Sequence, residues 1–138
     1  MELSRRGSLA LGIGAACLAI LPLRTNAAAK QAIADFTGGA ELARGGVTLT
    51  APAIEEDGNN VPIDVSAPGA TAILIVAADN PEPGVATFHF GPLAGTPSVS
   101  TRIRLARTQE VIAVARMADG GFASASATIE VTIGGCGA

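Results

Sequence analysis

The sequence predicts an all-β fold, an antiparallel sandwich of about seven strands with one short helix before it and a flexible arm after it. Three observations carry that expectation. From Gly45-Gly46 onward, apolar and polar residues alternate with a period of two, the spacing of a strand with one buried face. Turn-forming clusters interrupt the alternation at intervals of roughly a dozen residues, and 17 glycines and 8 prolines leave little room for long helices. With no tryptophan or tyrosine and four phenylalanines, the core must be built from valine, isoleucine, leucine and alanine. A chain of 138 residues, 49% hydrophobic and 15% charged, has the size of a single domain.

Residues 1–29 read as a leader that is removed. Ser4-Arg5-Arg6-Gly7-Ser8-Leu9 opens a run that is nearly uncharged to Leu23, and the small residues Asn26-Ala27-Ala28-Ala29 follow. A basic start, an apolar middle and small residues at the end make a secretory signal. The arginine pair points to the twin-arginine route and a periplasmic destination, although Ser8 stands where a hydrophobic residue is common. Cleavage after Ala27 or after Ala29 fits equally. A membrane anchor is the competing reading, but Leu9 to Leu23 falls short of the ~20 residues that span a bilayer. Lipid attachment at Cys17 fits poorly, because Leu18-Ala19-Ile20-Leu21 continues the apolar run beyond it.

The domain is expected over residues 30–133. Lys30 to Phe36 has the composition of a short helix, with Ile33 and Phe36 on one face, and Thr37-Gly38-Gly39 ends it. Val47 to Thr50 and Val61 to Val65 alternate as strands, Pro62 placing the second at an edge or a strand start. Ile73-Leu74-Ile75-Val76 is a continuous apolar run within Ala70 to Ala78, the mark of a central strand. Asp79 to Gly84 is a turn, Val85 to Phe90 a strand, and Gly91-Pro92 and Gly95-Thr96-Pro97 break the chain again. Ser98 to Leu105 alternates, and Thr108-Gln109-Glu110 turns into Val111 to Ala115. Asp119-Gly120-Gly121 forms a hairpin leading to a last strand that ends at Ile133. Seven short strands at this spacing suit a sandwich of immunoglobulin-like type, here without the cysteine–tryptophan–cysteine core of antibody domains.

Charge and side-chain chemistry exclude several functions. Without the leader, six basic residues face eleven acidic ones, a net charge of about −5, which is no footprint for nucleic acid or an anionic membrane. His89 is the single histidine, and one histidine with one mature cysteine makes no zinc or haem ligand set. It reads as an ordinary strand residue pointing away from Phe88 and Phe90. Arg102 and Arg104 share one strand face and could meet an anion, although a solvated outer face is the simpler account. Glu55-Glu56-Asp57-Gly58-Asn59-Asn60 reads as an exposed acidic connection without calcium-loop spacing. Val111 to Ala115 is apolar on both faces, so its outer face needs a cover, for which a partner protein is the expectation.

The tail, residues 134–138, carries the chemistry. Loss of the leader removes Cys17 and leaves Cys136 as the lone cysteine, which cannot form an internal disulfide. Gly134, Gly135 and Gly137 surround it with backbone freedom and no shielding side chains. Five extended residues reach about 17 Å, enough to place a thiol in another protein's cleft. An unperturbed thiol has a pKa near 8.5 and is a few per cent ionised at about pH 7. No basic residue in the tail lowers it, so the site that receives the tail must assist the chemistry. That favours a carrier without an active site of its own, with no catalytic residues, no bound metal and no cofactor.

Together these residues resemble the SoxY family, the sulfur-carrying subunits of the bacterial thiosulfate-oxidising system. The resemblance rests on Gly46-Val47-Thr48-Leu49, Val61-Pro62-Ile63, Asn80-Pro81, Val99 to Arg104, Thr108-Gln109 and, most specifically, the ending Val131-Thr132-Ile133-Gly134-Gly135-Cys136-Gly137. The family usually ends in Gly-Gly-Cys-Gly-Gly, and Ala138 departs from that. The resemblance implies a heterodimer with the β-sandwich subunit SoxZ and covalent attachment of thiosulfate or sulfane sulfur at Cys136. It further implies transient docking to the c-type cytochrome SoxAX, to the di-manganese hydrolase SoxB and, where present, to the sulfane dehydrogenase SoxCD. The alternative from the residues alone is a periplasmic redox or structural subunit whose Cys136 forms intermolecular disulfides.

Overall fold

The computed structural model of the protein describes residues 27–134. The predicted leader up to residue 26, and Gly135, Cys136 and Gly137 of the predicted arm, lie outside the described residues. Within them the chain forms helix α1 (Ala27–Thr37) and strands β1 (Leu42–Arg44), β2 (Thr48–Thr50), β3 (Ile54–Asp57), β4 (Val61–Ser66), β5 (Ala70–Ala77), β6 (Gly84–His89), β7 (Ser98–Ile103), β8 (Gln109–Met117) and β9 (Phe122–Ile133). One sheet has the order β1-β9-β8-β5-β6, with β3 also on β9, and the second has the order β2-β4-β7. The fold is therefore a two-sheet, mostly antiparallel β-sandwich with one N-terminal helix.

The alternating strands put their apolar residues between the sheets. Val61, Ile63 and Val65 of β4 meet Ile73 and Ile75 of β5, Val111, Ala113 and Ala115 of β8, and Ile129 of β9. The continuous run of β5 has a different cause. Its other residues, Leu74 and Val76, join Val114 of β8 in a second cluster on the outer face of the large sheet. Helix α1 covers that cluster with Ala29, Ala32, Ile33 and Phe36. This corrects the expectation that a partner covers the outer face of β8: the chain's own helix does so. Period-two chemistry alone cannot reveal which element lies over a strand that is apolar on both sides.

The helix is longer than Lys30 to Phe36 because Ala27, Ala28 and Ala29 extend it N-terminally, alanine being the best helix former. It stops where Gly38 and Gly39 take positive φ of 68° and 87°, the left-handed termination that glycine permits. Arg116 reaches across from β8 to that end. Its guanidinium lies 4.9 Å from the Phe36 ring centre and donates a 3.4 Å hydrogen bond to the Phe36 carbonyl. A cation beside the last carbonyls of a helix is favourable, and the ring contact adds to it.

Nine strands are present among the described residues where seven are predicted. The additional ones, β1 and β3, both pair in parallel with β9. Neither has an alternating pattern to betray it. β1 is three residues long, and β3 is the stretch Ile54-Glu55-Glu56-Asp57 that reads as an acidic connection. A short, charged strand at a sheet edge is a common way to block further pairing, which is why its composition resembles a loop. The hairpin after β8 forms as expected, with Gly120 at φ 90° and the Asp119 carboxylate accepting from the Gly121 N–H at 2.8 Å.

Candidate functional site

The predicted tail follows β9, so the end of that strand is the root of any arm. β9 is 12 residues long, and its ladder with β8 ends at the pair Gln109↔Ile129. Glu130 to Ile133 project past it. On the side vacated by β8, the Thr108 hydroxyl takes over the role of a strand backbone. It accepts a hydrogen bond from the Val131 N–H at 2.9 Å and donates one to the Val131 carbonyl at 3.4 Å. On the opposite side β3 runs parallel, with Glu55 beside Val131 and Asp57 beside Ile133. The Glu130 N–H donates to the Ala53 carbonyl at 2.9 Å, and the Gly58 N–H donates to the Ile133 carbonyl at 2.8 Å. Gly58 is held in turn, because its carbonyl accepts from the N–H of fully buried Leu105 at 2.7 Å.

A buried amide network lies next to Thr108. Gln109, 3% exposed, accepts from the Asp79 N–H at 2.9 Å and donates to Asn80 Oδ1 at 2.9 Å and to the Arg107 carbonyl at 3.0 Å. Asn80 donates to the Arg104 carbonyl at 2.8 Å and accepts from the Ala106 N–H at 3.0 Å. These bonds tie the turn after β5 to the link between β7 and β8, and so fix the segment that presents Thr108. Every partner is a backbone group or another amide, so the network satisfies itself. Gln109→Ala leaves the Asp79 N–H unpaired in a part-buried position. Chemical denaturation is expected to show a loss of about 1–3 kcal/mol, against less than about 0.5 kcal/mol for a surface control such as Ser126→Ala.

Among the sequence candidates, Gly134 is described and half-buried at the end of β9. The predicted attachment residue Cys136 and its neighbours Gly135 and Gly137 lie outside the described residues. His89 is exposed on β6, opposite Ala72, while Phe88 and Phe90 pack on the core, as the alternation predicts. Arg102 and Arg104 are both exposed. Arg102 borders a shallow depression with Pro62, Asp64 and Ser100, where the Ser100 hydroxyl donates to the Asp64 carboxylate. Arg104 immediately precedes Leu105, whose N–H donates to the Gly58 carbonyl beside Ile133, so its backbone lies near the end of β9. The charged residues that β3 sets beside Val131 and Ile133 are carboxylates. Among the described residues, no group of three His, Cys, Asp or Glu is placed to hold a metal ion.

Spacing gives no hint that Thr108, Gln109, Asn80 and Gly58 act together at the root of the tail, since 50 positions of sequence separate Gly58 from Thr108. Asn80-Pro81 and Thr108-Gln109 do stand among the residues that carry the family resemblance, and that was the available signal.

Comparison with known proteins identifies the family. The family model "Sulfur oxidation protein SoxY" matches residues 33–136. No curated protein matches the chain. Among solved structures, the sulfur carrier protein SoxY from Chlorobium limicola f thiosulfatophilum is 34% identical with a TM-score of 0.67, the match covering 78% of this chain and 98% of that one. A superoxide reductase (neelaredoxin) from Ignicoccus hospitalis shares 17% identity with a TM-score of 0.56, over 63% of this chain and 80% of that one. A putative superoxide reductase from Thermotoga maritima shares 21% with a TM-score of 0.51, over 70% and 90%. The likeness to both reductases is one of fold alone.

Proposed function

Because the chain belongs to the SoxY family of sulfur oxidation proteins, we propose that it is a covalent sulfur carrier whose attachment point is Cys136. The observation that carries this reading is the matched span, which runs from α1 through Cys136 itself. The root geometry supports it: hydrogen bonds hold β9 as far as Ile133, and the glycine-flanked thiol follows three residues later. A thiol so placed is carried by a rigid body and presented by a short tether.

The chemistry balances with the oxidant in another protein. The Cys136 sulfur forms a bond to the outer sulfur of thiosulfate, the thiol releases its proton, and two electrons leave one at a time through the c-type cytochrome SoxAX to its electron acceptors. Water then attacks the terminal sulfur in SoxB, sulfate leaves with the new oxygen, and a persulfide stays on Cys136. Where SoxCD is present, it oxidises that remaining sulfur. This chain supplies no acid, base or metal to these steps. It contributes the nucleophile, the reach and the docking body, as a heterodimer with SoxZ in the periplasm.

The leader reading extends with it. Ala29 is buried against the outer face of the large sheet at 2% exposure, so cleavage after Ala27 keeps this contact and cleavage after Ala29 removes it. The burial of Ala29 thus supports the first of the two cleavage positions, after Ala27.

Deletion of Gly134 and Gly135 tests the carrier reading. Two residues fewer shorten the tether by about 7 Å without touching the core. Thermal unfolding is expected to be unchanged, while thiosulfate oxidation in the reconstituted system falls at least about tenfold, as catalytic sites tolerate misplacement of ~1 Å poorly. Full activity after the deletion contradicts a swinging tether.

A further inference from the structure

We infer that Thr108 is the positioning residue that sets where the arm begins, holding the hinge at Gly134 instead of four residues earlier. The inference rests on the carrier reading for its functional meaning, but its structural content stands on the end of β9 alone. Packing does less there than at Ile129, although the Val131 side chain still rests against the main core. Ile129 is fully buried, whereas Glu130, Thr132 and Ile133 are exposed, Ile133 at 66%, and Val131 is half-buried. Backbone pairing with β8 has already ended at Ile129. Beyond the Val131 side chain, the backbone of the next four residues is paired by β3 on one side and by a single hydroxyl on the other.

That hydroxyl makes two bonds to one residue, accepting from the Val131 N–H and donating to its carbonyl. It thus satisfies both backbone groups of Val131 on the edge opposite β3, whose Glu55 is the register partner. Remove it, and β3 must hold the segment as a lone parallel edge with few apolar contacts. The strand then frays back toward Ile129. From an anchor at Ile133, Cys136 lies three residues away, a reach of about 10 Å; from Ile129 it lies seven residues away, about 24 Å. Effective concentration at a docked site falls roughly as the −3/2 power of tether length, a loss of about 3–4-fold for that change. A longer arm is therefore a slower one once the body has docked.

The test uses Thr108→Val, which keeps the shape and removes the hydroxyl, and Thr108→Ser, which keeps the hydroxyl. Amide hydrogen exchange is read residue by residue in the full mature protein. The Val variant is expected to exchange about fivefold faster at Val131 and Ile133, the equivalent of one ordinary hydrogen bond, with Ile129 unchanged and the Ser variant close to wild type. Unchanged exchange at Val131 and Ile133 in Thr108→Val overturns the inference, as does equal acceleration in the Ser variant. Steady-state oxidation by the reconstituted system separates the two readings. With the carrier role intact, kcat falls in Thr108→Val, by up to about 3–4-fold where the end of β9 is fully released, and the apparent KM for the carrier stays constant. Wild-type protein that never takes up thiosulfate at Cys136 sinks the carrier reading while leaving the exchange result to decide the hinge.

Discussion

Cys136→Ser is expected to abolish thiosulfate oxidation in a reconstituted system while leaving the fold and complex formation intact. The reason is chemical. A serine hydroxyl cannot form the sulfur–sulfur bond that attachment requires, and the one other cysteine of the sequence, Cys17, falls in the stretch proposed above as a removed leader. It is also structural, since the substitution falls beyond β9 and beyond every core contact described for the sandwich. Thermal unfolding should therefore coincide with wild type, and a pull-down with SoxZ should recover the same amount of complex. Oxidation that survives the substitution contradicts attachment at this residue. A redox subunit that uses Cys136 for mixed disulfides would also lose activity, but its wild-type protein would carry thiol adducts in place of thiosulfate.

Ile129→Ala should give the largest loss of stability of any change near the arm. Ile129 is fully buried in the main cluster, the last residue of β9 that is, and it pairs with Gln109 at the point where β8 ends. Truncation removes three carbons from a site enclosed by both sheets, and β-sheet neighbours collapse only partly into such a space. A loss of about 2–5 kcal/mol is expected, seen in urea as a lower midpoint with an unchanged slope and as a Tm lower by roughly 10–20 °C. Thr132→Ala, three residues on and exposed, should change stability by less than about 0.5 kcal/mol. Equal effects at the two positions would mean that the end of β9 is packed quite differently from the arrangement described above.

Much of this architecture is legible in the residues, and the exceptions share a cause. Alternation locates β4, β6, β7 and β9, because each has one face toward the core and one toward solvent. The run Ile73 to Val76 marks a central strand correctly, and β5 does lie between β8 and β6. The cover over its outer face was not legible, since Ile33 and Phe36 specify only that a helix has an apolar side, not which surface receives it. β1 and β3 were hidden for a related reason. Their residues are held by backbone bonds to β9 more than by burial, so hydrophobic period carries no trace of them. Glu55-Glu56-Asp57 in particular has the composition of a connection and the geometry of a strand. The candidate site divides in the same way. Cys136 stands out by cysteine arithmetic and by its glycine neighbours, which are local properties. Thr108, Gln109, Asn80 and Gly58 matter through hydrogen bonds between distant segments, and only the folded chain brings them to one place.

The central claim is that Cys136 holds sulfur covalently, and intact mass spectrometry of the purified native complex, with and without a thiol reductant, tests it most directly. The account predicts a fraction of this chain heavier by a bound thiosulfate, two sulfurs and three oxygens, or by sulfane sulfur alone, with the added mass removed by reductant and absent from Cys136→Ser. A bare thiol that stays bare after incubation with thiosulfate and SoxAX would contradict it.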